Sequence, residues 1–325
     1  MPKAIRALEP GGPEKLQFVD FKKPEPGPNE VFVRTEAAGV NYIDIYQRSG
    51  LYPIAPPIPL GLEGAGTVKH LGKNVGTIKE GDRVVWTSVP GSYATHVLVP
   101  EDKAVPIPDD IDFQVAAAVF LQGLTAHYLA YSTFPLKPGH TALIHAAAGG
   151  VGLLLVQIAK RLGARVIGPT APEEKAALAR QAGADEVILY TKADFAEATL
   201  GFTGGRGVDV VYDSVGKTTF EKSLSVLVTR GTLVLYGNSS GPVESFDPRL
   251  LAKGSYFLTR PTLGHYTATR EELLERATQL FNWIREGALN VRIDRTFPLP
   301  EAAEAHRALE SRATTGKVLL IPGGG

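Results

Sequence analysis

His145-Ala146-Ala147-Ala148-Gly149-Gly150-Val151-Gly152 is the stretch that decides the fold. The apolar segment Thr141 to His145 before it reads as a strand, and Gly150 to Leu162 after it reads as a helix. Ala147, Gly149 and Gly152 stand at the spacing of the dinucleotide-binding fingerprint, with Ala in place of the first glycine. Glycine lets the backbone turn tightly and come close to a diphosphate. The helix start then offers N–H groups without acceptors, at the positive end of the helix dipole. Gly152 would let helix and strand pack closely. A tight strand-to-helix turn holding no ligand is the plainer reading of the same residues.

Working outward, strand-like and helix-like segments alternate. Arg165 to Gly168, Glu186 to Tyr190, Val208 to Asp213 and Gly231 to Gly237 read as strands. Pro172 to Ala182 reads as a helix with Pro near its first turn. This order implies a parallel sheet with helices on both faces. The second strand ends Gly168-Pro169-Thr170-Ala171-Pro172, without the acid that would hold ribose hydroxyls in an NAD site. Lys175 follows one helical turn later. A missing carboxylate and a nearby cation suit a 2′-phosphate, which favours NADPH over NADH. Lys175 also reads as a solvated helix lysine, and Glu173 and Glu174 argue the other way, although acids in a first turn are explained by the dipole.

Residues 1 to about 110 look mostly β. Glu30 to Ala37 reads as a strand, with Val31 and Val33 alternating against Phe32 and Arg34, and Gly64 to His70 and Asp82 to Ser88 read similarly. Proline-rich turns separate these segments. From about Gly264 the pattern is mixed. Arg270 to Glu286 reads as an amphipathic helix with Leu273, Leu274, Ala277, Phe281 and Ile284 on one stripe. Pro300 to Arg312 looks helical, and Lys317 to Ile321 reads as a final strand.

The chain has 325 residues, near the size at which one core divides into two. Its 34 basic and 34 acidic residues cancel, which argues against nucleic-acid binding through a strong positive field. With no cysteine, disulfides, thiolate nucleophiles, iron–sulfur clusters and Cys-ligated zinc are excluded. One Met, no Cys and 24 prolines fit a thermostable protein. No signal peptide is visible in the first ten residues, so a cytoplasmic location is expected. Phe113 to Leu136 and Gly139 to Ala159 lack charge and are long enough to span a bilayer. Their Gln, Thr, Ser, His and Gly content makes them buried globular segments instead. The seven histidines show no metal spacing. His145 stands beside the phosphate turn and reads equally as a turn contact or a buried strand-end residue. Glu63 reads as a core hydrogen-bonding group rather than a general acid.

The segment Gly139 to Lys160, with Leu143, Ala147-Ala148, Gly149-Gly150-Val151-Gly152, Gln157 and Lys160, resembles the signature of the medium-chain dehydrogenase/reductase superfamily. The match is to its zinc-free quinone oxidoreductase, or ζ-crystallin-like, branch. Further landmarks are Ala38 to Asp44, Gly61 to Gly66, Gly81 to Val84, Gly237 to Gly241, Glu310-Ser311-Arg312 and Gly316-Lys317. The resemblance covers essentially the whole chain. It implies an α/β protein with a GroES-like β-rich catalytic domain (1–123 and 265–325) and a doubly wound Rossmann domain (124–264). Zinc-containing relatives place a Cys ligand where Asn41 stands and a His ligand where Leu62 stands, so zinc-dependent catalysis by that route is not expected.

The resemblance implies reduction of a quinone by NADPH, through hydride or single-electron transfer. It places Asn41, Tyr46 and Tyr52 near the nicotinamide as the catalytic candidates, and Tyr42, Ile43 and Asp44 beside them. It implies Thr125 on the nicotinamide side and Ala148, Gly149, Gly150, Val151 and Gly152 at the diphosphate. It puts Thr170, Lys175 and Tyr190 at the adenosine phosphate end, with Ser214, Gly237, Asn238, Ser239, Thr259, Arg260 and Arg312 completing the cofactor site. An alkenal or enone reductase of the same superfamily is the alternative activity. A non-catalytic NADPH-binding structural or RNA-binding protein is the alternative of another class. Ser255 to Arg260 should form the last Rossmann strand, and an apolar edge there would join two copies into a homodimer.

Overall fold

The structure is a computed structural model that describes residues 1–323. The chain divides into two compact units, one from Met1–Leu121 together with Thr267 onward, the other Gln122–Tyr266.

The second unit is built on six strands that all pair in parallel, in the order Glu186–Leu189, Arg165–Thr170, Thr141–Ile144, Val208–Asp213, Leu227–Leu235, Phe257–Thr259. The strand that feeds the glycine turn therefore lies in the middle. Thr141–Ile144 is buried throughout, as expected of a strand covered on both faces. The helices Gly150–Arg161, Glu173–Gln181, Phe195–Phe202 and Phe220–Ser225 connect the strands. Pro172 stands as the N-cap of the Glu173–Gln181 helix, next to its first turn. The fifth strand begins at Leu227, four residues earlier than its Gly231 start would suggest, with Arg230 at a positive φ inside it. Leu143, Ile167, Val211 and Leu233 from four adjacent strands meet Phe195, Phe220 and Leu224 in one core cluster.

The first unit contains a three-stranded sheet, Leu16–Asp20, Lys3–Ala7 and Ile58–Pro59. It also contains a seven-stranded sheet centred on Glu30–Val40. That long strand pairs antiparallel with Gly64–Leu71, with His96–Pro100 and with the C-terminal strand Lys317–Ile321, where Val318 faces Val40. A C-terminal strand thus completes a sheet whose other central strands come from the first hundred residues. The expected alternation along Glu30–Val40 is only partial. Phe32 is as buried as Val31 and Val33 because the rings of His70 and His96 stack on it.

Several helices differ from the sequence reading, which placed none at Phe195–Phe202 or Phe220–Ser225. Tyr42–Arg48 is a helix where the sequence reading placed none, and its start is fixed by Asp44, whose carboxylate accepts the Asn41 N–H at 2.8 Å. On Arg270–Arg285 the buried face is Leu273, Ala277, Leu280, Phe281 and Trp283. Leu274 and Ile284 are only partly buried at its margins. The apolar helix Phe113–Tyr128 and its extension to Thr133 are long enough to cross a bilayer, but 78% of that stretch is buried inside the protein.

Candidate active site

The glycine turn is held from both sides. The His145 N–H donates to the Tyr212 carbonyl at 3.0 Å, and Gly149 donates back to Ala146 at 2.8 Å. Ala146 takes the left-handed conformation, φ 52°, to make the bend. A Cβ on Gly152 would stand 2.2 Å from the Ala146 carbonyl oxygen, so the turn closes only around glycine there. A Cβ on Gly150 would meet the Gln122 side-chain amide at 2.1 Å. Gly149, Gly150 and Val151 remain partly exposed, while Ala148 and Gly152 are buried. In this first turn the N–H groups of Gly150, Val151 and Gly152 have no acceptor within the helix. This set of donors around a cradle with no room for a side chain fits a diphosphate.

The end of the second strand is consistent with a phosphorylated ribose. Thr170 is buried and its carbonyl accepts the Tyr190 N–H at 3.4 Å. Lys175 is half-buried, one turn into the helix that begins at Glu173. Glu173 pairs with Arg180 at 2.8 Å, and that hydrogen bond holds its carboxyl below the usual range. Its charge is thereby partly neutralised beside Lys175. Tyr190 is exposed just beyond the neighbouring strand.

At the ends of the next two strands, Ser214 and Gly237–Ser239 come together. The Ser239 N–H donates to the Ser214 carbonyl at 3.1 Å, and a Cβ on Gly237 would lie 2.5 Å from that same oxygen. Asn238 is buried beside them. This loop is organised by the fully buried Asp213, which the sequence reading missed. Its Oδ1 accepts the N–H groups of Val215 at 2.8 Å and Gly216 at 3.0 Å. Its Oδ2 accepts the hydroxyls of Thr219 at 2.7 Å and Ser223 at 3.0 Å. Ser223 in turn meets His145 Nε2 at 2.9 Å. Because Ser223 donates to the carboxylate, it accepts from the imidazole. His145 thus points inward, edge-on to Phe195, and not at the turn that follows it. Burial holds its pKa below the ordinary value, against the pull of Asp213. Thr259 ends the edge strand, and the Arg260 guanidinium donates to the Leu235 carbonyl at 2.8 Å. Thr125 is buried in the helix that begins at Phe113.

In the first unit the candidates cluster on the Tyr42–Arg48 helix. The Tyr46 and Tyr52 rings pack edge to face at 5.3 Å, and Tyr42 and Tyr46 lie 6.1 Å apart. Tyr46 is 8% exposed, and Tyr52 is more open. The Tyr42 hydroxyl donates to the Leu309 carbonyl at 3.0 Å. Burial raises its pKa, against the nearby charge of Arg312. Arg312 is exposed at a positive φ of 57°, after the helix Ala302–Glu310, and Ile43 is half-buried. Asp44 is fully enclosed, with Oδ2 engaged by the Asn41 N–H and by Tyr93 at 2.7 Å. Its Oδ1 has no partner among the described residues. Burial pushes its carboxyl up to about 7, against those hydrogen bonds. Asn41 faces inward as well, joined to Glu63 and to Lys317, a buried cation that the sequence reading did not mark as functional. Among the described residues no group of three or more His, Asp or Glu side chains could hold a metal ion.

A parallel sheet with a glycine turn at the carboxyl end of its central strand, in a chain whose other unit pairs the strand Lys317–Ile321 with Glu30–Val40, has close counterparts. Residues 27–109 match the alcohol dehydrogenase GroES-like domain, and residues 182–320 match the zinc-binding dehydrogenase family. The chain is 49% identical to a quinone oxidoreductase of Pseudomonas aeruginosa, over 99% of this chain and 100% of that one. It is 42% identical to a 2-haloacrylate reductase of a Burkholderia species, over 96% of each. The crystal structure of Escherichia coli quinone oxidoreductase complexed with NADPH superposes with a TM-score of 0.97 at 46% identity, over 98% of this chain and 100% of that one. The chain belongs to the medium-chain dehydrogenase/reductase superfamily, in its zinc-free quinone oxidoreductase branch.

Proposed function

We propose that this chain is an NADPH-dependent, zinc-independent reductase of quinones. The observation that carries the reading is the glycine-walled anion cradle at Gly149–Gly152 together with a second strand that ends without an acid and is followed by Lys175. The likeness to quinone oxidoreductases, one of them complexed with NADPH, supports it.

Bound NADPH supplies the electrons, as a hydride or singly. The amides of Gly150, Val151 and Gly152, with Ala148 and Gly149, hold the diphosphate. Lys175, with Thr170 and Tyr190, holds the phosphorylated adenosine end. Ser214, Gly237, Asn238 and Ser239, with Thr125, Thr259 and Arg260, orient the nicotinamide half. Tyr42, Ile43 and Arg312 add contacts to the nucleotide. Asp44 contributes by fixing the start of the Tyr42–Arg48 helix, since its carboxylate is enclosed. The Tyr46 and Tyr52 hydroxyls donate to a quinone oxygen and stabilise the negative charge that grows there. A quinone accepts electrons readily, and its oxyanion takes a proton from water, so no dedicated acid is assigned.

The test is NADPH oxidation with 1,4-benzoquinone and 9,10-phenanthrenequinone. Turnover with either is the expected result. Turnover with alkenals or 2-haloacrylate but with no quinone would establish the second reading, reduction of an activated double bond, which the likeness to a 2-haloacrylate reductase favours. NADPH binding without turnover of any acceptor would leave the non-catalytic role.

We also propose a homodimer through the edge strand Phe257–Thr259, whose Phe257 ring is 60% exposed beside unpaired backbone groups. A cytoplasmic location suits a reductase that draws on reduced nicotinamide.

A further inference from the structure

Gly150 is a glycine that the dinucleotide fingerprint does not ask for. The fingerprint positions are Ala147, Gly149 and Gly152, and Gly150 is one of the two free positions between the last pair. Its backbone does not require glycine either, since its φ lies outside the left-handed region. It opens the helix Gly150–Arg161, where alanine is the better helix former. What forbids a side chain there is Gln122, a half-buried residue of the mostly apolar helix Phe113–Tyr128. A Cβ on Gly150 would lie 2.1 Å from Gln122 Oε1, 2.5 Å from Cδ and 2.5 Å from Nε2, so the amide fills the place of the missing methyl. In an α-helix each Cα–Cβ bond leans toward the N-terminus. An amide standing in that place therefore lies at the end of the helix where the N–H groups of Gly150, Val151 and Gly152 collect.

We infer that Gln122 is a further dinucleotide-binding residue, whose neutral amide replaces the Cβ of Gly150 as a wall of the cradle and lies against the diphosphate. What matters is where the amide stands and that it is uncharged. An acid there would repel the diphosphate. An apolar side chain would strip water from the phosphate oxygens and offer no dipole in return. The amide does neither. Gly150 and Gln122 thus form one device, in which the glycine makes room and the amide fills it. Thr125 follows Gln122 by three residues and is its neighbour on the helix face, so the same helix brings a second uncharged polar group to that side. The inference rests on the NADPH reading and deepens it by adding to the diphosphate site a residue from outside the glycine turn.

The decisive variant is Gln122→Glu, which keeps the shape of the side chain and adds a negative charge. Dissociation constants for NADPH and NADH are measured by calorimetry at low and high salt. Both should rise at least about tenfold at low salt, because the diphosphate is common to the two nucleotides, and the loss should shrink as salt screens the charges. Gln122→Lys should bind both nucleotides at least as tightly as wild type. Three results overturn the inference: affinities of Gln122→Glu within about twofold of wild type, a loss confined to NADPH, or an equal loss with Gln122→Lys. Should Gln122→Glu not fold, Gly150→Ala and Gln122→Ala decide. Gly150→Ala drives the amide aside and should weaken both nucleotides about fivefold. Combined with Gln122→Ala it should cost no more than Gln122→Ala alone, because the new Cβ enters the vacated place, and additive losses overturn the inference. A wild-type protein that binds neither nucleotide fails the functional reading itself and is seen before any variant is made. One that binds NADPH and reduces no quinone fails that reading too, and leaves this test intact.

Discussion

Asp44 and His306 are joined through one hydroxyl, that of Tyr93, which donates to Asp44 Oδ2 at 2.7 Å and lies 3.2 Å from His306 Nε2. The direction of the chain follows from its far end. Arg48 Nη1, which only donates, lies 3.0 Å from His306 Nδ1. Nδ1 is therefore the acceptor, Nε2 carries the hydrogen, and Tyr93 passes the polarity on to the carboxylate. Burial, with the charge of Arg48, pushes His306 down to about 3, while burial pushes Asp44 up to about 7.

These opposite shifts predict a concealed pH dependence. Between about pH 4 and 7 folded Asp44 keeps a proton that the unfolded chain has released, so its contribution to stability falls as pH rises. Between about pH 3 and 6.5 the unfolded chain holds a proton that folded His306 lacks, so that contribution rises with pH. The two offset over about pH 4–6.5. Asp44→Asn should add an upward slope relative to wild type, and His306→Gln a downward one, each approaching about 1.4 kcal/mol per pH unit for one proton. Urea denaturation at a series of pH values reads both slopes, and profiles parallel to wild type would refute the assignment.

Lys175→Ala should weaken NADPH about tenfold, the effect of one charge-assisted hydrogen bond, and change NADH little. Fluorescence titration with the two nucleotides separates the outcomes. An equal loss for both would remove Lys175 from the phosphate site.

The Asp213 carboxylate gathers two backbone amides and two hydroxyls under the Ser214–Gly216 turn. Asp213→Asn sets an NH2 group against one set of these donors and should cost about 2–4 kcal/mol. Ser223→Ala, which removes a single link, should cost about 1 kcal/mol. Chemical denaturation measures both. Nucleotide affinity should fall with Asp213→Asn, because the turn loses its anchor.

Phe257→Lys places a charge on an exposed edge and should yield a monomer of unchanged fold. Light scattering at micromolar concentration tests it, and a wild-type monomer would already reject the dimer.

What could be read from sequence was local. The turn at Gly149–Gly152 was legible because strand, glycines and helix follow one another within some twenty residues, and because no side chain fits where Gly152 meets Ala146. The Tyr42–Arg48 helix was not legible. Seven residues give no period to count, and its Tyr and Ile content favours strand; the Asp44 cap and burial of Ile45 and Tyr46 decide it. Leu280 and Trp283 escaped because the helix buries a wider face than the stripe that was followed. Lys317 read as a family landmark, but its role lies 276 residues from Asn41, where no pattern in the chain connects them.

The pairing of Val318 with Val40 also orders events during synthesis. A ribosome releases the long central strand of the first sheet hundreds of residues before its C-terminal neighbour, while every strand of the parallel sheet emerges in one uninterrupted stretch. Gln122–Tyr266 is therefore free to fold as it is made, and the nascent N-terminal portion must wait with an open sheet edge. Glu63 waits with it, its counter-ion arriving almost last.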